Sequence, residues 1–551
     1  MRDNTWYKQM AFYQIWPRSF KDGNGDGIGD LYGVYEKLDY IRSLNVDGIW
    51  FSPLYVSPNA DYGYDIADYR RISPEYGDLD IFRKVLDGAH RRGMKVIMDL
   101  VVNHTSDEHE WFKAACADRN SPYHDYYFFR KGKPGGRLPN NWDSLFEGKA
   151  WEYVPELDEY YLHVFAKKQV DLNMDNPAVR EEVKGIMRFW LDLGVDGFRE
   201  DVITFISKTP GLPDDILPFM RGFRYYSNGK RVKEYLMEFK RDVLDHYDCF
   251  TVGEAPMMTP KKALKYIGKE AGSALDLMFH FQHMEADCLF TDYMPRPFNL
   301  VKLKKAFSRW QKQINGKAWN TLYLENHDHP RVISRYGNEK YRVESGKMLA
   351  VCYLFQQGTP FVYQGQEIGM TNISLPTIDD YVDVMAKNEY RKKANWPEEK
   401  KMELIRRGTR DSARTPVQWT AGENAGFTEG KPWFAVNPNY PEVNVEQAEA
   451  DPDSLLNFYR RALKFRKETP AAVWGDYREY GTRSKSLYVY AREYQGERLL
   501  AVCSFSDREQ PFAAPEGFDL SKAGLALCNY PGEKTSATLK PYETRLYHFK
   551  K

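Results

Sequence analysis

Eight short apolar segments, separated along the first 363 residues by helix-like runs, constrain the fold of this chain more than any other feature. The alternation of strand and helix predicts right-handed βαβ units and therefore a parallel sheet. Eight strands close such a sheet into a TIM (β/α)8 barrel of the α/β class. The predicted strands are residues 11–16, 48–51, 95–102, 197–199, 249–252, 275–279, 321–324 and 360–363.

Two stretches interrupt this alternation, and the end of the chain departs from it. Residues 104–173 are irregular and rich in aromatic residues, and because so long a structureless loop is improbable, they predict an inserted domain B after the third strand. Residues 371–452 form a second irregular insertion, with a helix-like run at 397–407. Residues 471–551 show a hairpin pattern and predict a C-terminal antiparallel β domain similar to a sandwich. The barrel is assigned to residues 1–103 and 174–470, with helices at 35–44, 80–92, 179–193 and 454–467.

Composition narrows the range of partners. Lysine plus arginine and aspartate plus glutamate are equal at 78 each in 551 residues, so no net charge attracts nucleic acid or an anionic membrane. No run approaches the roughly 18 apolar residues of a membrane span, and residues 1–10 lack the apolar core of a signal peptide. We therefore expect a cytoplasmic protein, monomeric or weakly oligomeric, whose six scattered cysteines are reduced. An aromatic content of 15% favours a carbohydrate ligand, since rings stack on sugar faces.

A loop rich in aspartate and glycine follows the first predicted strand. Residues 22–30 read Asp-Gly-Asn-Gly-Asp-Gly-Ile-Gly-Asp, with oxygen-bearing side chains at alternate positions. Such a loop suits a hard cation such as Ca²⁺. An EF-hand begins in the same way but needs Glu at its twelfth position, where this chain has Gly33. The residues alone leave two interpretations, a cation loop of another kind and a solvated turn.

Polar side chains follow four of the predicted strands, at the end where a parallel barrel keeps its active site. A single acid beside a strand is explained by helix capping, whereas acids, histidines and an arginine at the same end of four strands indicate catalysis. The third strand provides Asp99, Asn103 and His104, the fourth Arg199 and Asp201, the fifth Glu254, and the seventh Asn326, His327 and Asp328.

Two carboxylates with a third nearby form the set that glycoside hydrolysis needs. One acts as nucleophile or base and one as acid, and further negative charge stabilises the oxocarbenium-like transition state. Arg199, two residues before Asp201, is expected to keep that aspartate ionised. Glu254 suits the acid that burial and neighbouring charge keep protonated.

In their order along the chain, these clusters resemble the signature regions of the α-amylase superfamily, glycoside hydrolase family 13. The resemblance covers nearly the whole chain and is to the branch of oligo-1,6-glucosidases and α-glucosidases. The matching stretches are residues 61–65 (Asp-Tyr-Gly-Tyr-Asp), 99–104 (Asp-Leu-Val-Val-Asn-His), 169–173 (Gln-Val-Asp-Leu-Asn), 197–201 (Gly-Phe-Arg-Glu-Asp), 252–254 (Val-Gly-Glu), 326–328 (Asn-His-Asp) and 411–419 (Asp-Ser-Ala-Arg-Thr-Pro-Val-Gln-Trp).

The resemblance implies a mechanism that retains anomeric configuration. Asp201 would be the nucleophile that forms a covalent glycosyl-enzyme, and Glu254 the acid and then the base. Asp328 would grip the sugar and stabilise the transition state. Arg199 would lie under the nucleophile, and no organic cofactor is implied.

The resemblance also implies how the sugar is held. His104 and His327 would bind hydroxyls of the glucose in the −1 subsite, and Tyr64 would stack on its ring. Phe165 and Gln169 would line the pocket from domain B.

Two further features follow from the resemblance to this branch. Asp61 and Arg414 would pair beyond the non-reducing glucose and close the pocket, so that the enzyme is exo-acting and releases one glucose at a time. The Asp/Gly loop would hold a structural Ca²⁺ or Mg²⁺. The implied metal ligands are Asp22, Asn24, Asp26, the carbonyl of Ile28, and Asp30.

The residue after the nucleophile bears on linkage. In this branch Val accompanies α-1,6 cleavage, whereas Ala or Thr is more usual in α-1,4 enzymes, and this chain has Val202. A branched side chain there narrows the +1 subsite. Sucrose isomerases carry Arg-Leu-Asp-Arg after the sixth strand, whereas this chain reads Phe-Gln-His-Met-Glu at 281–285. Glu200 replaces a residue that is usually apolar, and the sequence does not explain it.

The predicted function is therefore an exo-acting retaining α-glucosidase that cleaves α-1,6 bonds of short isomaltose-type α-glucosides. The alternatives among enzymes are an α-1,4-glucosidase, a sucrose or trehalose-6-phosphate hydrolase, and a sucrose isomerase or transglucosylase. A non-catalytic binding subunit is the alternative from another class. Such chains usually lack the catalytic acids and carry a membrane span, and this chain has all three acids.

Overall fold

The computed structural model describes residues 5–146, 148–530 and 536–550. Residues 1–4, 147, 531–535 and 551, which fall within the predicted domain ranges, lie outside the described residues.

An eight-stranded parallel barrel forms the centre of the molecule and confirms the predicted fold class. Its strands pair in chain order, and β1 also pairs with β8. Between β6 and β7 the Thr321 hydroxyl donates to the carbonyl of Met278 at 3.0 Å, which bridges the remaining seam. The strands are β1 (Phe12–Ile15), β2 (Gly48–Phe51), β3 (Lys95–Leu100), β4 (Gly197–Glu200), β5 (Phe250–Glu254), β6 (Leu277–Phe279), β7 (Thr321–Leu322) and β8 (Thr359–Tyr363).

A helical segment follows each strand and covers the barrel. Several helices begin at a side chain that caps free backbone amides, among them Asp78, Asn176, Thr259, Asn299 and Ser454. The covering helices are Leu31–Glu36 with Leu38–Ser43, then Leu79–Arg91, Pro177–Asp192, Val232–Asp242, Pro260–Ile267, Leu300–Ile314, Arg342–Leu354 and Leu455–Glu468.

The first covering helix differs from the prediction of one helix at 35–44. The side chain of Asp30 accepts a hydrogen bond from the amide of Gly33, so the helix begins earlier, at Leu31. Lys37, with φ −95° and ψ 8°, then divides it into two short helices. The capping residue lies in the Asp/Gly loop, so this loop also fixes the start of the helix.

Two apolar layers hold the barrel together. Inward-facing residues stack in its interior, where the rings of Phe12 and Phe361 lie 5.3 Å apart and those of Trp50 and Phe279 lie 5.4 Å apart. The alternate residues of the strands face the helices, as the two-residue period of a strand requires. The aromatic interior supports the polar side chains above it, since the guanidinium of Arg199 lies 5.3 Å from the ring centroid of Trp50.

The two insertions each have their own apolar core. Domain B holds the antiparallel pair His104–Ser106 and Gln169–Asp171, and a small sheet of Phe129–Arg130, Trp151–Val154 and Glu159–Leu162. The second insertion is built on the helices Val384–Lys392, Glu398–Gly408, Asp411–Arg414 and Val445–Ala450. Both insertions lie at the carboxyl end of the barrel, where they surround the site.

The C-terminal sheet is antiparallel in the order β9-β10-β11-β13-β12. Its strands are β9 (Asp476–Tyr480), β10 (Leu487–Tyr494), β11 (Glu497–Ser504), β12 (Gly524–Cys528) and β13 (Thr544–Phe549). It contacts the barrel through Arg492, which donates to the carbonyl of Phe355 at 2.6 Å. Within the described ranges, no helix combines the length and the apolarity that crossing a bilayer requires.

Candidate active site

The carboxyl ends of β3, β4 and β5 bring three predicted acids together. Arg199 pairs in register with Asp99, and Glu200 with Gly253, beside Glu254. Asp201 follows β4 directly, and its amide donates to the carbonyl of Leu100 at 3.0 Å. Because side chains alternate along a strand, Arg199 and Asp201 share one side of the sheet and Glu200 faces the other.

A single guanidinium joins these acids. Nη1 of Arg199 lies 2.6 Å from Asp99 Oδ1 and 2.7 Å from Asp201 Oδ1, and its Nη2 lies 2.9 Å from Glu254 Oε2. The side chain of Arg199 is 1% exposed, so these contacts are shielded from water. Asp201 and Glu254 therefore flank one guanidinium, as suits the close pair of carboxyl groups in a retaining glycosidase.

The protonation of Asp201 differs from the expectation that Arg199 keeps it ionised. Burial, and then the charges of Glu254 and Asp99, raise the pKa of Asp201 well above its ordinary value, although Arg199 lowers it. Burial likewise raises the pKa of Asp99 to about 6. Burial is the largest cause, and the guanidinium that opposes it is shared by three carboxylates. This cluster therefore retains a proton more readily than an isolated Arg–Asp pair.

Val202 connects the nucleophile position to the proposed acid. Its amide donates a hydrogen bond to Glu254 Oε2 at 3.1 Å. Val202 has φ +34°, a left-handed conformation that is strained for a β-branched residue. Its side chain lines the cavity and packs in the apolar cluster of domain B with Phe165 and Phe205.

The third predicted acid is held by a histidine and two arginines. Asp328 Oδ2 lies 3.0 Å from His327 Nε2, and its Oδ1 lies 3.0 Å from Arg414 Nη2 and 3.4 Å from Arg410 Nη1. Partial burial favours the neutral form of Asp328, but these contacts outweigh it and hold its pKa well below its ordinary value. Asp328 is therefore an anion in the pocket.

Both predicted histidines are buried and neutral. Burial lowers the pKa of His104 to about 4 and that of His327 to about 4. The ring of His327 stacks on Tyr64 at 5.3 Å, and its Nε2 lies 2.6 Å from the Tyr64 hydroxyl. His104 lies 3.1 Å from Gln169 Nε2, and its ring centroid lies 5.3 Å from that of Phe165. Neutral imidazoles can both donate and accept, as binding of sugar hydroxyls requires.

Asp61 and Arg414, which the resemblance implies close the pocket together, form no direct ion pair with each other. Asp61 Oδ1 lies 3.3 Å from Nη2 of Arg410, and Asp61 Oδ2 accepts from Gln169 at 3.3 Å. Arg414 instead donates to Asp328 and to the carbonyl of His327. Arg410 directly precedes the short helix Asp411–Arg414, which ends at Arg414. Both arginines contact Asp328, whereas Arg410 also contacts Asp61 and Asp383.

Arg410 is the site residue that sequence reasoning missed. Buried Asp383 holds it, with Asp383 Oδ1 2.8 Å from Arg410 Nη2 and 3.0 Å from its Nε. The sequence feature that could have identified Arg410 is its position directly before the matching stretch 411–419. Asp383 lies in an irregular insertion, where its sequence context gives no sign of this contact.

A cavity of about 300 Å³ is lined by the three catalytic acids predicted above and by Asp61, Tyr64, His104, Phe165, Gln169, Val202 and Arg410. The predicted site residues Arg199, His327 and Arg414 lie behind this lining, in contact with its acids. One end is polar and is bounded by Asp61, Arg410 and Gln169. The remaining wall is largely apolar, with Met257, Phe281, Met284 and Phe290 among its residues. This arrangement suits one sugar bound closely by polar groups and a second part of the substrate packed on apolar surface.

Glu200 lies on the opposite side of β4 from the catalytic cluster. It is 1% exposed, and neither carboxyl oxygen has a hydrogen-bond partner among the described residues. Burial, and then the charge of Asp276, raise the pKa of Glu200 to about 8. Glu200 is thus a buried acid outside the pocket, and no catalytic contact explains it.

The Asp/Gly loop is tightly curled. Asp22 accepts from the amides of Asn24, Gly25 and Gly27, and Asp30 from those of Gly23, Asn24 and Gly33. Gly25 and Gly27 have φ +87° and +96°, and a Cβ on Gly27 would lie 1.9 Å from the carbonyl oxygen of Lys431. All five predicted ligands offer oxygen, and the buried carboxylates of Asp22 and Asp30 lie in the same turn. This donor set fits a hard cation.

Comparison with known proteins agrees with this geometry. The family model described as alpha amylase, catalytic domain, matches residues 14–475. The chain is 47% identical to an oligo-1,6-glucosidase of Parageobacillus thermoglucosidasius, over 99% of each chain. The solved structure of a trehalose-6-phosphate hydrolase of Bacillus licheniformis matches with TM-score 0.94 and 44% identity over 100% of both chains. That of a trehalulose synthase of Pseudomonas mesoacidophila MX-45 matches with TM-score 0.95 and 40% identity over 100% of both chains.

Proposed function

This chain belongs to the α-amylase family of glycoside hydrolases, and from that membership we propose that it is an exo-acting retaining α-glucosidase. Its proposed substrates are short isomaltose-type oligosaccharides, from which it releases glucose by cleaving α-1,6 bonds at the non-reducing end. The observation that carries the proposal is the placement of Asp201 and Glu254 on the two terminal nitrogens of one buried guanidinium, inside a pocket with a polar closed end.

In the first step, the carboxylate of Asp201 attacks the anomeric carbon, and Glu254 gives its proton to the departing glycosidic oxygen. The bond to the leaving sugar breaks as the bond to Asp201 forms, which produces a glycosyl-enzyme. The anionic Asp328 stabilises positive charge that develops on the sugar ring.

In the second step, Glu254 takes a proton from water, and the water oxygen displaces Asp201 from the anomeric carbon. Two displacements at one carbon restore the original α configuration. The amide of Val202, which donates to Glu254, positions this carboxyl group for both transfers.

Exo action is supported by the polar end of the pocket. Arg410 contacts both Asp61 and Asp328, and buried Asp383 fixes its guanidinium. These side chains form a wall beyond the position of a single sugar. A substrate that carried further sugar units on the non-reducing side of the bound glucose would collide with this wall.

The α-1,6 preference is supported by Val202 and by similarity to a protein named oligo-1,6-glucosidase. The valine side chain lies beside the nucleophile and lines the cavity. Its branched Cβ narrows the space for the leaving sugar. An α-1,6 linkage adds a rotatable bond between the sugars, which moves the leaving ring away from this side chain.

Trehalose 6-phosphate hydrolysis is the second candidate, because a solved hydrolase of that name is 44% identical. A phosphate group calls for an available lysine or arginine. Among the described residues that line the active cavity, Arg410 is the one with such a side chain, and three carboxylates already contact it. A neutral disaccharide therefore suits the cavity better.

The test is a panel of kcat/KM values for isomaltose, maltose, sucrose and trehalose 6-phosphate. We expect isomaltose to have the highest value and Asp201→Asn to lower it at least about a thousandfold. A highest value for another sugar would overturn the α-1,6 assignment. Conversion of sucrose to another disaccharide without glucose release would favour an isomerase, and no turnover of any α-glucoside would favour a binding subunit.

We further propose that the Asp/Gly loop holds a structural Ca²⁺ through Asp22, Asn24, Asp26, Asp30 and the carbonyl of Ile28. When bound, the ion would offset the repulsion between the buried carboxylates of Asp22 and Asp30. Asp30 also caps the helix that begins at Leu31. The ion would therefore stabilise the connection between β1 and its covering helix and have no part in the reaction.

We also propose that the protein is cytoplasmic and that it is a monomer or a weak oligomer. The location is supported by the six cysteines, which form no disulfide among the described residues and four of which are buried. Cell fractionation tests the location, and light scattering during gel filtration tests the oligomeric state. A stable oligomer at micromolar concentration would contradict the latter.

A further inference from the structure

Asp65 is a fully buried acid with no role in the proposed reaction steps. It is the last residue of the matching stretch 61–65, in which Asp61 and Tyr64 line the active cavity. We propose that Asp65 is a positioning residue, which fixes the loop of residues 57–65 so that Asp61 and Tyr64 meet the non-reducing glucose in one defined arrangement. The inference rests on the proposed function, since it concerns the glucose bound at the same site.

The carboxylate of Asp65 accepts three hydrogen bonds from its own loop. Oδ1 accepts from the amide of Asp61 at 3.0 Å and from the hydroxyl of Ser57 at 2.9 Å, and Oδ2 accepts from the amide of Ala60 at 2.8 Å. Each oxygen therefore faces a backbone N–H group. An asparagine in this place would turn its NH₂ group toward one of those N–H groups, so the loop requires a carboxylate.

The loop needs this support because it contains a strained turn. The carbonyl of Asp61 accepts from the amide of Tyr64 at 3.2 Å, and both residues between them have positive φ. Gly63 has φ +103°, which glycine adopts readily, whereas Tyr62 has φ +45°, which costs free energy in a residue with a Cβ. Such conformations persist only where surrounding contacts enforce them. The hydrogen bonds that Asp65 accepts from residues 60 and 61 hold the turn at its first residue.

The side chains at the two ends of this turn belong to different parts of the site. Asp61 contacts Arg410 at the polar end of the cavity. The Tyr64 hydroxyl donates to Asp99 at 3.0 Å and lies 3.4 Å from Nη1 of Arg199, the guanidinium of the catalytic cluster. One turn therefore joins the wall beyond the bound glucose to the catalytic cluster, and a shift of its backbone would displace both.

The same turn is also attached to domain B. The carbonyl oxygen of Tyr64 lies 3.0 Å from His104 Nε2 and 3.4 Å from Gln169 Nε2. Both of these side chains line the cavity. Because Tyr64 directly precedes Asp65 in the chain, a change at Asp65 would also disturb the contacts that domain B makes at the polar end.

Steady-state kinetics of Asp65→Asn provide the test. We expect kcat/KM on isomaltose to fall roughly ten- to hundredfold, because a displacement of about 1 Å in a positioned group can cost that much. The inhibition constant for glucose, which occupies the subsite that the loop borders, should rise in the same variant. Glu75→Gln is the matched control, because Glu75 accepts from Asn59 of the same loop but not from the amides that Asp65 holds. It should lower the melting temperature and leave both kinetic values unchanged.

A double-mutant cycle separates positioning from general stability. In an Asp61→Asn background, Asp65→Asn should lower kcat/KM by a factor at least about threefold smaller than in the parent, because one of the two positioned side chains is already altered. The fall in melting temperature caused by Asp65→Asn should be the same in both backgrounds. Effects on kcat/KM that simply multiply would overturn the proposal.

Unchanged kcat/KM and unchanged glucose inhibition in folded Asp65→Asn would also overturn it. If Asp65→Asn does not fold, Ser57→Ala removes one of the three hydrogen bonds instead. A fall in kcat/KM of roughly two- to tenfold in Ser57→Ala, with a raised inhibition constant, supports the proposal, and unchanged values overturn it.

Failure of the parent enzyme to hydrolyse isomaltose would instead contradict the proposed function. In that case, calorimetry of glucose binding to the parent and to Asp65→Asn still decides the role of Asp65. Weaker binding to Asp65→Asn supports positioning, and equal affinity overturns it.

Discussion

The amide of Val202 donates to Glu254 at 3.1 Å, and Val202 has φ +34°. One residue therefore orients the proposed acid through its backbone and borders the leaving sugar through its side chain. Strain of this kind costs about 1–3 kcal/mol and persists only where the surrounding structure enforces it. Here the enforcement comes from the domain B cluster, in which Val202 packs with Phe165 and Phe205.

Replacement of Val202 should alter linkage preference. We expect Val202→Ala to raise the ratio of kcat/KM on maltose to that on isomaltose by about tenfold or more, because removal of two methyl groups widens the space beside the nucleophile. Val202→Ile keeps the branched Cβ and should keep the parent ratio. An unchanged ratio in Val202→Ala would show that the linkage is selected elsewhere.

Substitutions of Asp61 and Arg410 should be energetically coupled in their effect on kcat/KM, and more strongly than substitutions of Asp61 and Arg414. Double-mutant cycles on kcat/KM for isomaltose should give a coupling energy of about 1–2 kcal/mol between Asp61→Asn and Arg410→Met, since their side chains touch. The cycle with Arg414→Met should give less than about 0.5 kcal/mol.

Arg410 is buried among acids, so its removal could also unfold the chain. Thermal unfolding of each variant is the control, and Arg410→Lys is the substitute if Arg410→Met does not fold. A larger coupling with Arg414 would restore the pairing expected from the sequence.

Glu200 should make the protein less stable as pH rises. Its folded pKa of about 8 exceeds the ordinary value of 4.5, so the folded state binds the proton more tightly and loses stability between those two values as pH increases. The full effect is on the order of 5 kcal/mol at pH 8 and above.

Glu200→Leu should therefore raise the melting temperature at pH 8.5 much more than at pH 5. Glu200→Gln, which cannot ionise, should show the same flatter pH dependence. Calorimetry at both pH values tests this prediction. Melting temperatures that change equally with pH in the parent and in the variants would contradict it.

Removal of Ca²⁺ should lower the stability of the folded protein without directly lowering its catalytic activity. A hundredfold excess of Ca²⁺ over its Kd stabilises the folded state by about 2.7 kcal/mol, so EDTA should lower the melting temperature by several degrees. Asp26→Ala should abolish this dependence, because Asp26 is an exposed proposed ligand whose side chain accepts a hydrogen bond from the amide of Ile28 in its own loop.

Asp87→Ala, an exposed substitution on the helix Leu79–Arg91, is the control. If the parent and Asp26→Ala respond equally to EDTA, the loop is not the calcium site.

The barrel was accessible from the sequence because its strands are continuous apolar runs, such as Lys95–Leu100, between amphipathic helices. The boundaries of the helices were harder to predict from the sequence. The first covering helix begins at Leu31 because Asp30 caps it, although the same aspartate reads as a metal ligand in the sequence. Sequence pattern alone cannot distinguish these two roles of Asp30.

Within the site, the residues at strand ends were predictable, since the barrel brings those ends together. The contacts of Arg410 were not, because its partners Asp61 and Asp383 lie 349 and 27 residues away in the sequence. The raised pKa of Asp201 also depends on geometry, since it follows from burial and from the carboxylates around Arg199 and not from the Arg-x-Asp spacing. The contacts of Asp65 were not predictable either, because the stretch 61–65 does not show which backbone amides its carboxylate accepts from.

The most direct test of the account is proton NMR of isomaltose hydrolysis, followed from the first turnovers. Retention by Asp201 and Glu254 predicts that the glucose released from the non-reducing end appears first as the α-anomer and reaches the equilibrium mixture later by mutarotation. Initial appearance of the β-anomer, or the absence of any cleavage of the α-1,6 bond, would contradict the account.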